Sequence, residues 1–218
     1  MRSLISRVQR LLRRHLKPFD PLEYWKTRAT AHGPRSVLNL AHPPENYDLV
    51  TRLQAESLFP IFFSTISTPD PLVLDYGCGS GRFTNLLARE SKATVIGSDI
   101  TAALLRFATH DDQTFFVQTD ESSTPFVDCV FDAIWVYSVL GGIPDETVTH
   151  VFEELGRVLR QGGTLFLVEN TSPKRNRHYW FYRSERDYVR LAQFCNLQPV
   201  YRFDDLSEQM STFVGIKW

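Results

Sequence analysis

The sequence predicts a doubly wound α/β domain, a mostly parallel sheet with helices on both faces, preceded by a helical N-terminal extension. Three observations carry this. From Leu72 onward short apolar runs alternate with amphipathic stretches, the cadence of strands joined by helices. The first run, ending in Asp75-Tyr76, passes directly into Gly77, Gly79 and Gly81, which mark a strand that turns sharply into a helix. At 218 residues with 43% apolar content, the chain can bury one full core and carry a modest extension.

The elements follow in order. A helical stretch covers residues 46–63. The strand at 72–76 leads through the glycines to a helix at residues 82–89, whose free N–H groups and positive dipole end face whatever sits beside the loop. A nucleotide-like ligand therefore belongs at the carboxyl end of this first strand. Residues 94–99 form a second apolar run ending in Asp99, and residues 100–105 read as the next helix. A third run, residues 114–119, ends at Asp120. Residues 145–159 place Val148, Val151, Phe152, Leu155, Val158 and Leu159 three and four apart, an amphipathic helix with Glu153 and Arg157 paired on its outer side. Gln161-Gly162-Gly163 supplies a flexible C-cap, and residues 164–168 a fifth strand. Ser184 with Asp187 makes a capping box for a helix through Asn196. Residues 199–203 and 212–217 are the last two strands.

The glycine spacing discriminates between ligands. A dinucleotide loop wants Gly-x-Gly-x-x-Gly, the third glycine permitting close packing beside a pyrophosphate. Here Gly77, Gly79 and Gly81 are followed by Arg82, so a long cation fills the sixth position. Asp75 adds a carboxylate that repels a pyrophosphate and suits an ammonium group. Val73-Leu74-Asp75-Tyr76-Gly77-Cys78-Gly79-Ser80-Gly81 resembles motif I of the class I S-adenosylmethionine-dependent methyltransferases. The resemblance extends over residues 72–169 and is closest to the small-molecule, type 11-like group. Pro125-Phe126, then Phe131-Asp132-Ala133-Ile134-Trp135-Val136, are similar to that group's loop and fourth strand.

The resemblance implies a Rossmann-like fold with a seven-stranded, mostly parallel sheet and an antiparallel last strand, and S-adenosyl-L-methionine as cofactor. It implies cofactor-binding roles for Asp75, Gly77, Gly79 and Gly81. Asp99 is placed to accept hydrogen bonds from ribose hydroxyls, although it also reads as a helix N-cap. Asp120, with Glu121, falls where an acid or polar group reads the adenine edge, and Tyr137 where a ring sits beside the methyl group. Arg28, in Tyr24-Trp25-x-x-Arg28, matches an N-terminal segment that closes over the cofactor and pairs with its carboxylate; the alternative is an aromatic pair packed on the domain with Arg28 solvated. One departure is that Val139-Leu140-Gly141-Gly142 stands where many relatives carry a histidine, so no general base carries over there.

After the fifth strand, residues 169–183 mix cations, rings and one histidine at a position suited to a substrate loop. His178 is the candidate catalytic base for a hydroxyl proton, the alternative being a solvated surface side chain. No metal site is expected, since Cys78, Cys129 and Cys195 show neither metal spacing nor pairing logic. Reduced thiols and the lack of an apolar run of membrane-spanning length indicate a cytoplasmic protein. Net charge is −1, unevenly spread: residues 1–17 hold six bases and no acid, leaving 18 bases against 25 acids elsewhere. Leu4, Ile5, Val8, Leu11, Leu12 and Leu16 share one helical face of this segment. It can lie peripherally on the inner face of an anionic membrane, cover an apolar groove of its own or a partner's domain, or act as a targeting peptide. The acidic body argues against nucleic acid as the main partner.

The chain thus divides into a basic amphipathic helix (1–18), an N-terminal helical lid (19–70) and a methyltransferase domain (71–218). The expected reaction is methyl transfer by in-line displacement to a hydroxyl of a small or lipid- or sugar-linked acceptor. N-methylation of an amine or peptide N-terminus, for which Glu169 and Asn170 are the obvious acceptor-side groups, is one alternative. A cofactor-binding but inactive partner subunit is another.

Overall fold

The computed structural model describes residues 19–218, so the basic helix expected over residues 1–17 lies outside the described residues. The elements are α1 (Pro21–His32), α2 (Tyr47–Phe63), β1 (Leu72–Tyr76), α3 (Thr84–Ser91), β2 (Thr94–Asp99), α4 (Ala102–Leu105) and β3 (Thr114–Gln118). They continue with β4 (Phe131–Tyr137), α5 (Asp145–Val158), β5 (Leu159–Asn170), α6 (Glu185–Leu191), β6 (Gln198–Asp204) and β7 (Gln209–Ile216). The sheet has seven strands in the order β3-β2-β1-β4-β5-β7-β6. β1 pairs in parallel with both β2 and β4, so the chain reverses its direction of sheet growth at β1. That switch opens a crevice at the carboxyl ends of β1 and β4. β7 runs antiparallel between β5 and β6 and is the one strand opposed to the other six.

Two apolar layers sandwich the sheet. On one face α5 lays Val148, Val151, Phe152 and Leu155 against Ile134, Val136, Leu165 and Leu167. On the other, Leu58, Phe59 and Phe62 of α2 meet Trp135, Phe166, Phe83 and Leu87. Trp135 stacks on Phe166 at 4.8 Å, and Phe59 and Phe62 meet it edge-on at 5.4 and 5.2 Å. Such pairs contribute about 0.5–1.5 kcal/mol each beyond the area they bury. α2 is therefore a core helix, and of the segment expected to be a lid, α1 and the tight turn Gly33–Val37 stand outside both apolar layers. A boundary at residue 70 runs through packed side chains.

Several local expectations are corrected. α3 begins at Thr84, two residues late, because left-handed Gly81 and the turn after it occupy the interval. α5 has no glycine cap: Leu159 turns directly to extended backbone (φ −75°, ψ 132°), and Gln161-Gly162-Gly163 lies inside β5. There Gly162 N–H bonds to Lys217 O at 2.9 Å, so strand pairing with the C-terminus outcompetes a cap. α6 stops at Leu191 rather than Asn196, and its capping box forms, with Asp187 accepting from Ser184 N at 2.9 Å. Arg157 pairs with Glu154 and Asp128 rather than Glu153.

Candidate active site

Gly77 and Gly79 adopt φ of +70° and +57°, a region that side chains with a Cβ rarely enter. They are also crowded: a Cβ on Gly77 would lie 2.5 Å from Val139 Cγ2, and one on Gly79 2.3 Å from Val37 Cγ1. Asp99, at the end of β2, locks this loop. Its Oδ2 accepts from Gly79 N at 2.9 Å and its Oδ1 from Thr101 N at 2.8 Å. Burial nevertheless pushes its carboxyl up to about 6, those bonds opposing the shift.

A cavity of about 80 Å³ lies over the loop. Gly77, Gly79 and Asp99 form its floor, Pro21, Trp25 and Val37 of the lid its roof, and Tyr137, Ser138 and Gly142 one end. The charged residues in its lining are Asp99 and Glu121. Glu121 Oε1 and Ser98 Oγ are buried without a partner among the described residues. Buried acceptors left open in this way suit a ligand rich in N–H and O–H donors. The absence of a cation from that wall opposes a pyrophosphate and favours a positively charged ligand.

A second cavity, about 340 Å³, adjoins the first and shares Trp25, Val37, Tyr137 and Ser138 with it. Its remaining wall includes Tyr179, Trp180 and Tyr182 from the loop after β5, Gln54 of α2, and Asn170, Asp205 and Glu208. Ser138, at the junction, holds a left-handed φ of +56°. A non-glycine residue in that region stores about 1–3 kcal/mol, of the kind that clusters at functional sites.

Residues 73–163 match the family model of a methyltransferase domain. That stretch is similar to the catalytic domain of the class I S-adenosylmethionine-dependent methyltransferases. It is 35% identical over 104 residues to the methyltransferase GfsG of Streptomyces halstedii, covering 44% of this chain and 37% of that protein. It is 29% identical over 136 residues to a malonyl-[acyl-carrier protein] O-methyltransferase of Herminiimonas arsenicoxydans, covering 62% and 51%. The fold is that of the magnesium protoporphyrin IX methyltransferase of Synechocystis, solved with bound SAH, with a TM-score of 0.69 at 15% identity, covering 90% of this chain and 98% of that one. The chain spans between 31% and 60% of the length of the curated relatives it matches.

The sequence-predicted residues divide. Gly77, Gly79, Asp99 and Tyr137 line the first cavity together. Gly81 sits one turn behind them, its N–H on Cys78 O at 2.9 Å. Asp75 is 3% exposed beneath the loop, where its Oδ2 accepts from Thr84 Oγ1 at 2.6 Å. It anchors the start of α3 rather than facing the cavity, and burial pushes its carboxyl up to about 7. Asp120 is exposed and borders a separate shallow pocket, while its neighbour Glu121 turns inward.

Arg28 spends its donors on the lid itself: Nε on Ser36 O at 2.7 Å and one terminal nitrogen on Leu38 O at 3.2 Å. It faces the second cavity, not the first, so here it shapes the lid rather than presenting free donors to a carboxylate. His178 is exposed and packs edge-on to Phe19 at 5.8 Å, outside the lining of both cavities. Glu169 is fully buried and caps the Leu140–Gly142 turn, its Oε1 accepting from Val139 N at 2.7 Å and Leu140 N at 2.6 Å and its Oε2 from Gly141 N at 3.2 Å. Burial pushes its carboxyl up to about 7. The sequence missed Val37, Gln54 and Asp205, whereas Trp180 falls in the expected substrate loop. His42 Nε2 lies 2.6 Å from Asp205 Oδ1 and ties the segment after α1 to the β6–β7 turn. Trp180 had a signal in its aromatic run; Val37 had none.

Proposed function

We propose that this methyltransferase transfers a methyl group from S-adenosylmethionine to an oxygen of a small acceptor held in the second cavity. The carrying observation is that the two cavities meet at Trp25, Val37, Tyr137 and Ser138, so ligands filling both have one line of approach. When bound, S-adenosylmethionine supplies an electrophilic methyl on positive sulfur together with its leaving group. The chain's own task is then alignment and exclusion of water. Asp99, Glu121 and the glycine cradle hold the donor side. Trp25 and Val37 roof the junction, and the rings of Tyr179, Trp180 and Tyr182 offer flat apolar faces to the acceptor.

Relatives named for 27-O-demethylrifamycin SV, malonyl-[acyl-carrier protein] and demethylmenaquinone support small or carrier-linked organic acceptors. A lipid- or sugar-linked acceptor fits the same walls. An amine acceptor draws less support, because Glu169 is consumed by three backbone N–H groups and the Asn170 side chain by Glu208 and Ser172 N. An inactive partner subunit gains none from a chain whose two cavities communicate. Among the described residues no helix is long and apolar enough to cross a membrane. The test incubates the full chain with methyl-deuterated S-adenosylmethionine and a metabolite extract, and reads labelled products by mass spectrometry. Labelled esters or ethers support the reading; labelled amines alone, or no label, oppose it.

A further inference from the structure

We propose that the Arg82 guanidinium and the Tyr137 hydroxyl receive a carboxylate of the acceptor, and that this carboxylate is the oxygen nucleophile that is methylated. The inference rests on the methyl-transfer reading above and narrows its acceptor.

Arg82 follows the glycine loop and turns inward. One terminal nitrogen donates to Gln54 Oε1, and the guanidinium carbon lies 4.2 Å from the Phe83 ring centroid and 4.9 Å from that of Tyr137. The other terminal nitrogen is buried and, among the described residues, has only the Tyr137 hydroxyl near it. Arg183, the buried arginine at the other end of the site, has a carboxylate partner in Asp145. Arg82 has none within ion-pair distance among the described residues. Asp205, whose charge reaches it, is held by His42 at 2.6 Å. Withdrawing a cation from water without a counter-charge costs several kcal/mol, so the position calls for an anion that the chain does not supply.

Tyr137 carries the second open group. Its hydroxyl is buried and lies against Arg82, near enough for the two to hydrogen-bond, with no other partner among the described residues. Burial raises its pKa, so it remains a neutral donor. An Arg N–H and a Tyr O–H side by side match the two oxygens of a carboxylate. Arg82 itself stands just behind the walls and lines neither cavity, but Gln54, which holds it, and Tyr137, which faces it, both line the second, where Arg28 and Arg177 add positive charge; this assigns the anion to the acceptor side. Tyr137 lines both, which sets one carboxylate oxygen at the passage between them.

A carboxylate also accounts for the base that the chain does not present there. Of the acids in the second cavity wall, Asp205 is paired with His42, and Glu208 with Lys174, Asn170 and Ser172. A carboxylate needs no deprotonation. Its oxygen forms the new bond to the methyl carbon while the carbon–sulfur bond breaks, the electron pair leaves with sulfur, and no proton moves. The product is a methyl ester, neutral where the substrate was charged, so Arg82 loses its counter-ion and product release is favoured.

The test uses the full chain saturated with S-adenosylhomocysteine, titrated calorimetrically with 2-naphthoate and with 2-naphthylmethanol, one flat ring system with and without the carboxylate. The wild type is expected to prefer naphthoate by about tenfold or more, as a charge-assisted fork predicts. Arg82→Gln and Tyr137→Phe lose that preference and Arg82→Lys keeps part of it, while the affinity of the two Arg82 variants for S-adenosylhomocysteine stays near wild type. With S-adenosylmethionine present, naphthoate yields an alkali-labile methyl ester. The inference is overturned if the wild type shows no preference, including the case where neither probe binds, or if the preference survives in Arg82→Gln. It is equally overturned if Arg82→Gln weakens S-adenosylhomocysteine as much as naphthoate, which would give the cation to the cofactor's own carboxylate. A wild type that binds no S-adenosylhomocysteine fails the methyl-transfer reading first, and that arm reports it separately.

Discussion

Asp99 satisfies two backbone N–H groups, one in the glycine loop and one at the start of α4, and this double use makes the residue sensitive to a change of one atom. In Asp99→Asn the amide can accept one of those bonds but presents its NH₂ to the other. The expected loss is about 1–3 kcal/mol of stability by chemical denaturation, together with at least about tenfold weaker S-adenosylhomocysteine binding. Titration behaviour belongs to the same scale. Asp75, Asp99 and Glu169 have carboxyls pushed up to about 7, 6 and 7 by burial. Between their unfolded values near 4 and these folded values, the native state binds more protons than the unfolded chain. Stability from these groups is therefore highest at low pH and falls as pH rises through the window, by up to about 1.4 kcal/mol per pH unit for each group. Denaturation midpoints compared at pH 5 and 7.5 are expected to fall at the higher pH, and Asp75→Asn to flatten the slope; a slope unchanged in that variant would remove Asp75 from the account.

The turn between β4 and α5 shows how an element is positioned from outside itself. Glu169 of β5 caps it, Arg183 donates to Leu140 O at 2.6 Å and Ile143 O at 2.8 Å, and Phe181 N donates to Gly141 O at 2.7 Å. Gly141 packs so closely on Trp180 that a Cβ would lie 2.5 Å from its Cζ2. Gly141→Ala is expected to push Trp180 aside and weaken acceptor binding several-fold or more while leaving S-adenosylhomocysteine affinity near wild type; equal losses in both would show that the turn serves the cofactor side instead. None of this was legible in the sequence, because the partners lie about 30 to 40 residues apart and no local pattern encodes them. The glycine loop and the Ser184-Asp187 capping box were legible because their partners are three residues or fewer away or fixed by glycine's own backbone freedom. Asp75 illustrates the boundary between the two cases. Its place in the motif was readable, but its bond to Thr84 depends on where α3 begins.

At the level of the whole molecule, the sheet order and its switch at β1 decide where both cavities form, and the aromatic stack around Trp135 holds the sheet to α2. Trp135 is fully buried against Phe59, Phe62, Phe83 and Phe166. Trp135→Ala is expected to cost about 3–5 kcal/mol in denaturant unfolding, enough to threaten a domain of ordinary stability, and a loss under about 1 kcal/mol would mean that the two layers do not rely on it. The alternation of strands and helices made the fold class readable from Leu72 onward. The core membership of α2 was not readable, since an apolar helix ahead of the domain gives no sign of which surface it meets.

The central claim is that the first cavity takes a phosphate-free adenosyl ligand and hands its methyl group across the junction at Tyr137. Calorimetric titration of the purified protein tests it most directly: saturable single-site heat with S-adenosylhomocysteine, lost or much weakened in Asp99→Asn, and none with a nicotinamide dinucleotide is the predicted result. A clear signal with the dinucleotide and none with S-adenosylhomocysteine would contradict it.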